Sequence, residues 1–341
     1  MKAIILEAFG GPDNLIARDV AQPRPGPSDV VVRVQAAGVC HHDVLHRAGK
    51  LPGAKTGVVL GHEIAGEIVD KGSAVDRRAI GDRVVVYQRR FCGVCRSCLI
   101  GRQDMCKAFS APAIDTEGGY AELIAVPASM TIPFQSGINW PAAALACCPI
   151  ATSLRAIRSV GQMQPGDTVA ITGASGGLGV HQIQIVRALG GYPIAITSSP
   201  DKAAFLRSLG AAEVVVSPDL TFASDVWNLT GKRGVDLVID NLGQTLAQSV
   251  RCVTTGGAVV VLGNLDQSAA TIQPGLLVAR RIRVQGSGMA PIDEVRHALA
   301  MIAGGLIKPV ISAVLPFDRV SDAHRLLDNR QTNGRVVMQG W

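Results

Sequence analysis

The segment "GVCHHDVLHRAG" at 38–49 places four side chains that can bind a metal within seven positions. Thiolate and imidazole groups are common protein ligands of zinc, and a catalytic zinc needs about three protein ligands plus a position for substrate. Further candidates occur in "GHEIAGE" and "ALACCPIATSLRAI". The whole set is Cys40, His41, His42, His46, His62, Glu63, Cys147 and Cys148. These residues are far apart in the chain, so their spacing alone does not choose among them.

A second group of cysteines is contiguous. The run "CGVCRSCLIGRQDMC" has the spacing C-x2-C-x2-C-x7-C, formed by Cys92, Cys95, Cys98 and Cys106. Four thiolates at this spacing can enclose a zinc ion and leave no open position, so we expect a structural zinc lobe at 90–108. An iron–sulfur cluster is a weaker alternative because the spacing differs from the ferredoxin runs. A DNA-binding zinc finger is disfavoured, since no histidine pair and no recognition helix follow.

A glycine-rich turn lies between a predicted strand and a predicted helix in "TVAITGASGGLGVHQIQIVRALG". In the G-x-G-x-x-G pattern of dinucleotide-binding proteins, its positions are Ala174, Gly176 and Gly179. The second glycine would let the backbone approach a pyrophosphate, and the third would let the helix pack closely. A tight turn without a ligand is the alternative. The predicted cofactor-binding residues here are Gly173, Ala174, Ser175, Gly176, Gly177, Leu178 and Gly179, together with Leu262 and Gly263.

The strand that follows this βα unit predicts which dinucleotide binds. An NAD site usually has an Asp or Glu at the end of that strand, where it binds the ribose hydroxyls. Here the strand ends in Thr197, Ser198 and Ser199, and Lys202 follows. Hydroxyl groups and a cation can receive a 2′-phosphate, and no carboxylate at the strand end repels it. The sequence therefore favours NADP(H) over NAD(H).

The elements that must position these residues fall into two kinds. The first 150 residues contain short β-branched runs separated by Gly and Pro clusters, which predicts a β-rich domain. From Thr168 onward, aliphatic runs alternate with helical segments, which predicts a parallel, doubly wound sheet. We expect 1–150 and 289–341 to form one domain and 151–288 to form a dinucleotide-binding domain, in an α/β fold.

Composition excludes several classes of function. The net charge of +6 is spread along the chain, whereas duplex nucleic acid usually requires a clustered basic face. We find no signal peptide and no run of about 18 apolar residues, so we expect no membrane span. Clustered cysteines without an export signal favour metal binding in a cytoplasmic protein.

The chain resembles the zinc-containing medium-chain alcohol dehydrogenases over essentially its whole length. The matching pieces occur in the family's order: "GVCHHD", "GHEIAGEIV", "GDRV", the four-cysteine lobe, "ACCPIATSLRA", the glycine turn, "GVDLVIDNLG" and the C-terminal "GRVV". The resemblance implies a GroES-like catalytic domain, a Rossmann domain and an active site in the cleft between them. It also implies assembly as a homodimer or a homotetramer.

The resemblance also implies roles for individual residues. Catalytic zinc would be held by Cys40, His62 and Cys148, with Glu63 nearby or exchanging as a ligand, which makes two zinc ions per chain. Cys148 is preferred to Cys147 because it lies four residues before Thr152, as in the family's C-x-x-x-T pattern, and we place Thr152 among the cofactor-binding residues. Arg335 resembles the arginine that reaches the cofactor pyrophosphate. The implied reaction is hydride transfer between NADP(H) and a small alcohol or carbonyl substrate.

The family pattern breaks two positions after the cysteine ligand. Alcohol dehydrogenases usually carry Ser or Thr there, and that hydroxyl begins the proton relay, but this chain has His42. His42 could take the proton itself, hydrogen-bond an enoyl thioester carbonyl, or only fill space. We include it in the catalytic set with the four zinc-site residues. We expect His41 to face the cofactor phosphates or solvent, His46 to be a loop residue, and Asp43 to orient a zinc ligand.

Two other functions remain open. An enoyl (acryloyl-CoA-like) or quinone reductase would have the same fold and use NADPH, although most such enzymes lack metal. A non-catalytic zinc-binding or NADPH-binding protein is the other alternative. The intact set Cys40, His62 and Cys148 argues against it.

Overall fold

The computed structural model describes residues 1–108 and 117–341. The chain divides into two compact units. The first unit comprises Met1–Cys148, Ala290–Ala303 and Ile311–Trp341, and the second comprises Pro149–Met289 and Gly304–Val310.

The segment Gly304–Val310 belongs to the second unit, whereas the sequence-based boundaries assigned all of 289–341 to the first. Hydrogen bonds to helical side chains explain its position. The Gln184 amide donates to the Lys308 carbonyl oxygen (3.0 Å) and accepts from the Lys308 amide N–H (2.8 Å). The amide N–H of Val310 donates to Nε2 of His181 (3.0 Å).

The strands in chain order are β1 (Lys2–Leu6), β2 (Leu15–Asp19), β3 (Asp29–Val39), β4 (Val58–Val59), β5 (Glu63–Lys71), β6 (Arg83–Val86), β7 (Leu123–Pro127), β8 (Thr131–Pro133), β9 (Thr168–Ile171), β10 (Tyr192–Thr197), β11 (Glu213–Val216), β12 (Val235–Asp240), β13 (Val253–Val261), β14 (Arg283–Gly286), β15 (Ile311–Leu315) and β16 (Arg335–Met338).

The α-helices are α1 (His41–Arg47), α2 (Arg96–Leu99), α3 (Trp140–Ala144), α4 (Thr152–Leu154), α5 (Gly179–Ala188), α6 (Ala203–Ser208), α7 (Ala223–Leu229), α8 (Leu246–Cys252), α9 (Pro274–Arg280), α10 (Ile292–Ala303) and α11 (Val320–Asp328). Ala146–Ala151 and Arg155–Val160 are π-helical. Short 3₁₀ segments are Pro12–Asn14, Gln103–Met105, Ala128–Met130, Pro200–Lys202 and Phe317–Arg319. Within the described ranges, none of the helices has the length and apolar character needed to cross a bilayer.

The first unit is built on a seven-stranded sheet in which β3 is central. The strand order is β15-β16-β3-β5-β6-β8, and β7 also pairs with β3. A second sheet has the order β2-β1-β4. The sequence "DVVVRVQAAGV" forms β3 as predicted, with eight of its eleven residues buried, and β3 pairs with β5, β7 and β16. This β-rich unit, antiparallel except for the β15–β16 pair, confirms the first half of the predicted fold class.

The second unit contains a six-stranded sheet with the order β11-β10-β9-β12-β13-β14, and every pair in it is parallel. This arrangement confirms the predicted doubly wound sheet. The strand order reverses between β9 and β12, which is where such sheets form a crevice at their carboxyl edge. The three-residue runs 169–171 in β9 and 237–239 in β12 are fully or almost fully buried and aliphatic, as expected for strands covered on both faces.

A buried carboxylate organises the carboxyl end of β12. Asp240 is inaccessible to solvent, and both of its side-chain oxygens accept hydrogen bonds. Oδ2 accepts from Ser249 Oγ (2.7 Å), and Oδ1 accepts from the four donors Thr172 Oγ1 (3.3 Å), Leu242 N (3.1 Å), Gly243 N (3.0 Å) and Thr245 Oγ1 (2.6 Å). Asp240 thereby ties the ends of β9 and β12 to the start of α8.

Replacement of Asp240 by Asn should destabilise the second unit. The amide presents N–H groups where the carboxylate accepts several bonds, and buried donors left without acceptors cost about 1–3 kcal/mol. We expect the free energy of unfolding to fall by about 2–3 kcal/mol. Urea unfolding followed by circular dichroism measures the change, with the exposed Asp225→Asn as control. Equal stability of the two variants would contradict this account of the network.

Candidate functional site

Four of the predicted metal ligands lie together in the first unit. One ligand atom each from Cys40, His62, Glu63 and Cys148 lies within 4.8 Å of the other three. Cys40 follows β3 and precedes α1, His62 and Glu63 are at the start of β5, and Cys148 is in the π-helical segment. In the β3–β5 pairing Gly38 is opposite Glu63, so the end of one strand is beside the beginning of the other.

The Glu63 side chain is fully buried at this strand junction. A Cβ atom at Gly38 would lie 2.0 Å from Glu63 Oε2, so only glycine leaves room for the carboxylate. Oε1 accepts a hydrogen bond from Arg335 Nη2 (2.7 Å), and Oε2 has no partner among the described residues. Burial raises the pKa of Glu63 to about 7, against the opposing charge of Arg335. A cation bound at the cluster would satisfy the free oxygen.

Asp43 fixes two of the ligands at once. Its Oδ2 accepts from the Cys40 amide N–H (3.1 Å) as part of the cap of α1, and its Oδ1 lies 2.9 Å from His62 Nδ1. A carboxylate can only accept, so Nδ1 carries the proton and Nε2 is left to bind a metal. Nε2 lies 4.0 Å from Glu63 Oε1. Burial alone would lower the pKa of His62, but the Asp43 charge raises it above the ordinary value.

The pKa values of the two cysteines of the cluster are shifted in opposite directions. The Cys148 thiol donates to Cys40 Sγ and lowers the pKa of Cys40 well below its usual value, with help from the charge of Arg335. The same hydrogen bond raises the pKa of Cys148. Two sulfurs, one imidazole nitrogen and one carboxylate oxygen, converging with one oxygen unpartnered, are a donor set that zinc accepts. The residues present therefore fit a zinc ion.

The four cysteines of the predicted lobe also converge. Their closest sulfur pairs are 3.5–3.9 Å apart, too far for disulfides and close to the edge of about 3.8 Å expected for four sulfurs 2.3 Å from one zinc ion. The Cys92 sulfur accepts from the amide N–H of Cys95 (3.3 Å). Backbone N–H groups of Val94 and Cys95 lower the pKa of Cys92 to about 6, which favours its thiolate form. The lobe has the geometry of a closed, structural site.

The histidines of the opening segment occupy different environments. His42 is half-buried, and its ring packs edge-on against His62 with centroids 5.3 Å apart. Burial and the neighbouring His62 lower the pKa of His42, which favours its neutral imidazole. The expectation that His46 is a loop residue was wrong. It lies in α1, fully buried, with Nε2 3.0 Å from the Lys55 carbonyl oxygen and 3.1 Å from its amide nitrogen.

Arg335 lies beside the four converging side chains of Cys40, His62, Glu63 and Cys148. Besides its bond to Glu63, its Nη2 is 3.9 Å from the Cys148 sulfur, and its Nε has no partner among the described residues. The predicted contact with a cofactor pyrophosphate stays a prediction.

The predicted cofactor-binding residues of the second unit follow the carboxyl ends of its parallel strands. The turn 173–178 follows β9, Ser198 and Ser199 follow β10, and Leu262 and Gly263 follow β13. Thr197 is the buried last residue of β10, Ser198 is exposed, Lys202 is half-buried at the end of a 3₁₀ segment, and Thr152 is buried at the start of α4. Thr197, Ser198, Ser199, Leu262 and Gly263 lie at or just after a strand end, and the turn 173–178 leads from β9 to Gly179 at the start of α5. The carboxyl edge of such a sheet is where ligands bind.

Two glycines of this edge are required by close packing. A Cβ at Gly179 would lie 2.5 Å from Ala174 Cα, because α5 packs directly on the turn. A Cβ at Gly263 would lie 1.9 Å from the Asn241 carbonyl oxygen. A Cβ at Gly176 would meet only the Gly173 carbonyl oxygen at 3.2 Å, so the space above that turn is open.

Sequence reasoning missed several polar residues that stabilise the site within each unit. Asn241 and Gln182 exchange two side-chain hydrogen bonds (2.9 and 2.7 Å) beside the Asp240 network. The sequence did mark Asn241, because the polar pair "DN" directly follows the aliphatic run of β12, at the carboxyl end of a predicted strand. No such signal marks Tyr120, a buried tyrosine that also bonds to Asp43.

Two protein-family models match the chain. The family model "Alcohol dehydrogenase GroES-like domain" matches residues 26–136, and "Zinc-binding dehydrogenase" matches residues 177–304.

Relatives that align along the full length of the chain are named either acryloyl-coenzyme A reductase or alcohol dehydrogenase. An acryloyl-coenzyme A reductase of Sulfurisphaera tokodaii is 28% identical over 99% of this chain and 100% of its own. An NAD-dependent alcohol dehydrogenase of Sulfolobus acidocaldarius is 31% identical over 99% of both chains. The crystal structure of a protein named AibC is 37% identical, with a TM-score of 0.94 over 100% of this chain and 96% of its own. The chain therefore belongs to the zinc-containing medium-chain dehydrogenase family of oxidoreductases.

Proposed function

We propose that this oxidoreductase is an NADPH-dependent, zinc-assisted reductase of α,β-unsaturated acyl thioesters. The observation that carries the proposal is the half-buried imidazole of His42 packed beside His62, at the position where alcohol dehydrogenases of the resembling family carry a relay hydroxyl. The proposal also uses the convergence of Cys40, His62, Glu63 and Cys148.

Cys40, His62 and Cys148 would hold the catalytic zinc, and Glu63 would serve as a fourth or exchanging ligand. When bound, zinc supplies Lewis-acid polarisation of a carbonyl oxygen, and the reduced nicotinamide supplies a hydride. The protein supplies the orientation of the ligands through Asp43 and a buried setting that strengthens local electrostatics.

His42 explains why a thioester is preferred to an alcohol. Oxidation of an alcohol must pass a proton from the substrate oxygen to solvent, and neither the usual hydroxyl nor His46 provides that path, because His46 is bonded to the Lys55 backbone. Reduction of a conjugated C=C instead requires stabilisation of negative charge on the thioester oxygen. Hydride adds to the β-carbon, negative charge develops on the thioester oxygen, and the α-carbon then takes a proton. A neutral His42 N–H directed at that oxygen would stabilise the developing charge.

The comparisons are compatible with this proposal. The Sulfurisphaera tokodaii relative that aligns end to end with this chain is named for reduction of acryloyl-coenzyme A, a conjugated thioester.

Hydride transfer between NADP(H) and an alcohol or carbonyl compound is the second candidate. The complete set of potential zinc ligands and the 31% identical alcohol dehydrogenase favour it. In that reaction His42 would accept the alcohol proton directly.

We expect NADPH to be the preferred cofactor. The residues at the carboxyl end of β10 are hydroxyl-bearing, with Lys202 nearby, and the first carboxylate after the strand belongs to the exposed Asp201 within the 3₁₀ segment. A 2′-phosphate would find donors there and no adjacent negative charge at the strand end.

Substrate comparison tests the reaction. With NADPH, kcat/KM for crotonyl-CoA should exceed that for butanal, a saturated aldehyde with the same number of acyl carbons. His42→Ser removes the imidazole donor and restores a hydroxyl, so crotonyl-CoA reduction should fall roughly 100-fold while alcohol oxidation rises. His297→Ser, on the exposed face of α10, is the control. Faster turnover of butanal would favour the second candidate, and no turnover of either compound would favour a non-catalytic binding protein.

Cofactor preference is tested at Lys202. Because a hydrogen bond to a charged group contributes about 1.5–3 kcal/mol, Lys202→Ala should raise KM for NADPH roughly tenfold or more and leave KM for NADH unchanged. Arg207→Ala, which removes an exposed cation of α6, is the matched control. Equal effects of Lys202→Ala on both cofactors would contradict a role in binding the 2′-phosphate.

A further inference from the structure

We propose that Tyr120 is a positioning residue that holds Asp43 and His62 in the geometry needed to retain the catalytic zinc. The inference rests on the zinc role assigned to this cluster under the proposed function. It adds a residue outside the ligand set, which acts through packing on the ligand loop and through one hydrogen bond.

The backbone around Tyr120 is paired with the segment that leads into His62. The Gly118 amide donates to the Val59 carbonyl oxygen (2.9 Å), and the Gly119 amide donates to that of Gly61 (2.7 Å). The Tyr120 amide donates to the Leu60 carbonyl oxygen (2.9 Å). The segment 118–120 therefore fixes the path of the three residues before the histidine ligand.

The Tyr120 ring occupies the space of a side chain at Gly61. Gly61 has φ +93°, a conformation that favours glycine, and a Cβ there would lie 2.5 Å from Tyr120 Cδ1 and 2.6 Å from Cε1. The ring thus packs directly on the backbone next to His62. The other side of the tyrosine is closed by His324, whose ring packs edge-on with centroids 6.1 Å apart.

The Tyr120 hydroxyl adds a further hydrogen bond to the Asp43 carboxylate. It donates to Asp43 Oδ2 at 3.1 Å, the oxygen that also accepts from the Cys40 amide. Tyr120 is inaccessible to solvent, and burial together with the Asp43 charge raises the pKa of its phenol, so the hydroxyl keeps its proton and donates. A phenylalanine would keep the ring contacts and lose only this bond. Packing and hydrogen bonding are therefore separable.

The test is the rate at which the purified holoenzyme loses zinc to a chromogenic chelator. Outer hydrogen bonds to a histidine ligand typically change metal affinity 10–100-fold. Tyr120 is one bond further from the metal, so we expect Tyr120→Phe to release the catalytic-site zinc roughly 3–10-fold faster. The four-cysteine site should be unaffected. Tyr87→Phe is the matched control, because Tyr87 is equally buried and its hydroxyl donates to the Ala290 carbonyl oxygen (2.8 Å).

Cobalt substitution gives a second readout of the same variant. The visible absorption of Co²⁺ at the catalytic site should shift in Tyr120→Phe and be unchanged in Tyr87→Phe. The shift should disappear in an Asp43→Asn background, because Tyr120 acts through that carboxylate. Equal zinc release and identical cobalt spectra in Tyr120→Phe and wild type would overturn the proposal.

If Tyr120→Phe does not fold, a measurement on the wild-type protein still tests the proposal. The chain has three tyrosines, so uniform 3-fluorotyrosine labelling gives three ¹⁹F resonances. Removal and return of the catalytic-site zinc should move the Tyr120 resonance and leave that of the exposed Tyr192 in place. An unmoved Tyr120 resonance contradicts the inference. Absence of zinc from the cluster itself would refute the proposed function instead, so the two failures are distinguishable.

Discussion

The carboxylate of Asp43 is the interaction on which the catalytic cluster depends. One of its oxygens fixes the backbone of Cys40, and the other fixes the ring of His62, so one buried charge sets two potential metal ligands. A buried carboxylate is costly unless its oxygens are satisfied. Here both accept hydrogen bonds, and the same group caps α1. The first helix and the orientation of the histidine share this single anchor.

The position of Glu63 follows from strand register. Gly38 opposite Glu63 lets a carboxylate fit at the junction of β3 and β5, and Arg335 on β16 neutralises part of its charge. In the second unit, Asp240 has an analogous role at the carboxyl edge of a parallel sheet, where it accepts bonds from side chains and backbone together. In each unit a buried carboxylate lies where the proposed chemistry would occur.

Contiguous motifs were predictable from the sequence, and sites assembled from distant segments were not. The four-cysteine lobe and the glycine turn are local, so their spacing carries most of their geometry. Cys40, His62 and Cys148 could be selected only through the family resemblance, because they come from distant segments: β3–β5 pairing brings Cys40 near His62, and Cys148 comes from a π-helical segment. His46 was assigned to a loop, but α1, whose start is capped through Asp43, continues past it to Arg47. Tyr120 was missed because its contacts with Gly61 and Asp43 exist only in the folded chain.

Anomalous diffraction across the zinc absorption edge tests the central claim most directly. Crystals of the purified protein should give two zinc peaks per chain. One should be bound by the Cys40 and Cys148 sulfurs and by Nε2 of His62, and the other should lie within the four-cysteine lobe. A peak in the lobe alone, with Cys40 and Cys148 free and Glu63 Oε2 unpartnered, would contradict the account of a zinc-assisted active site.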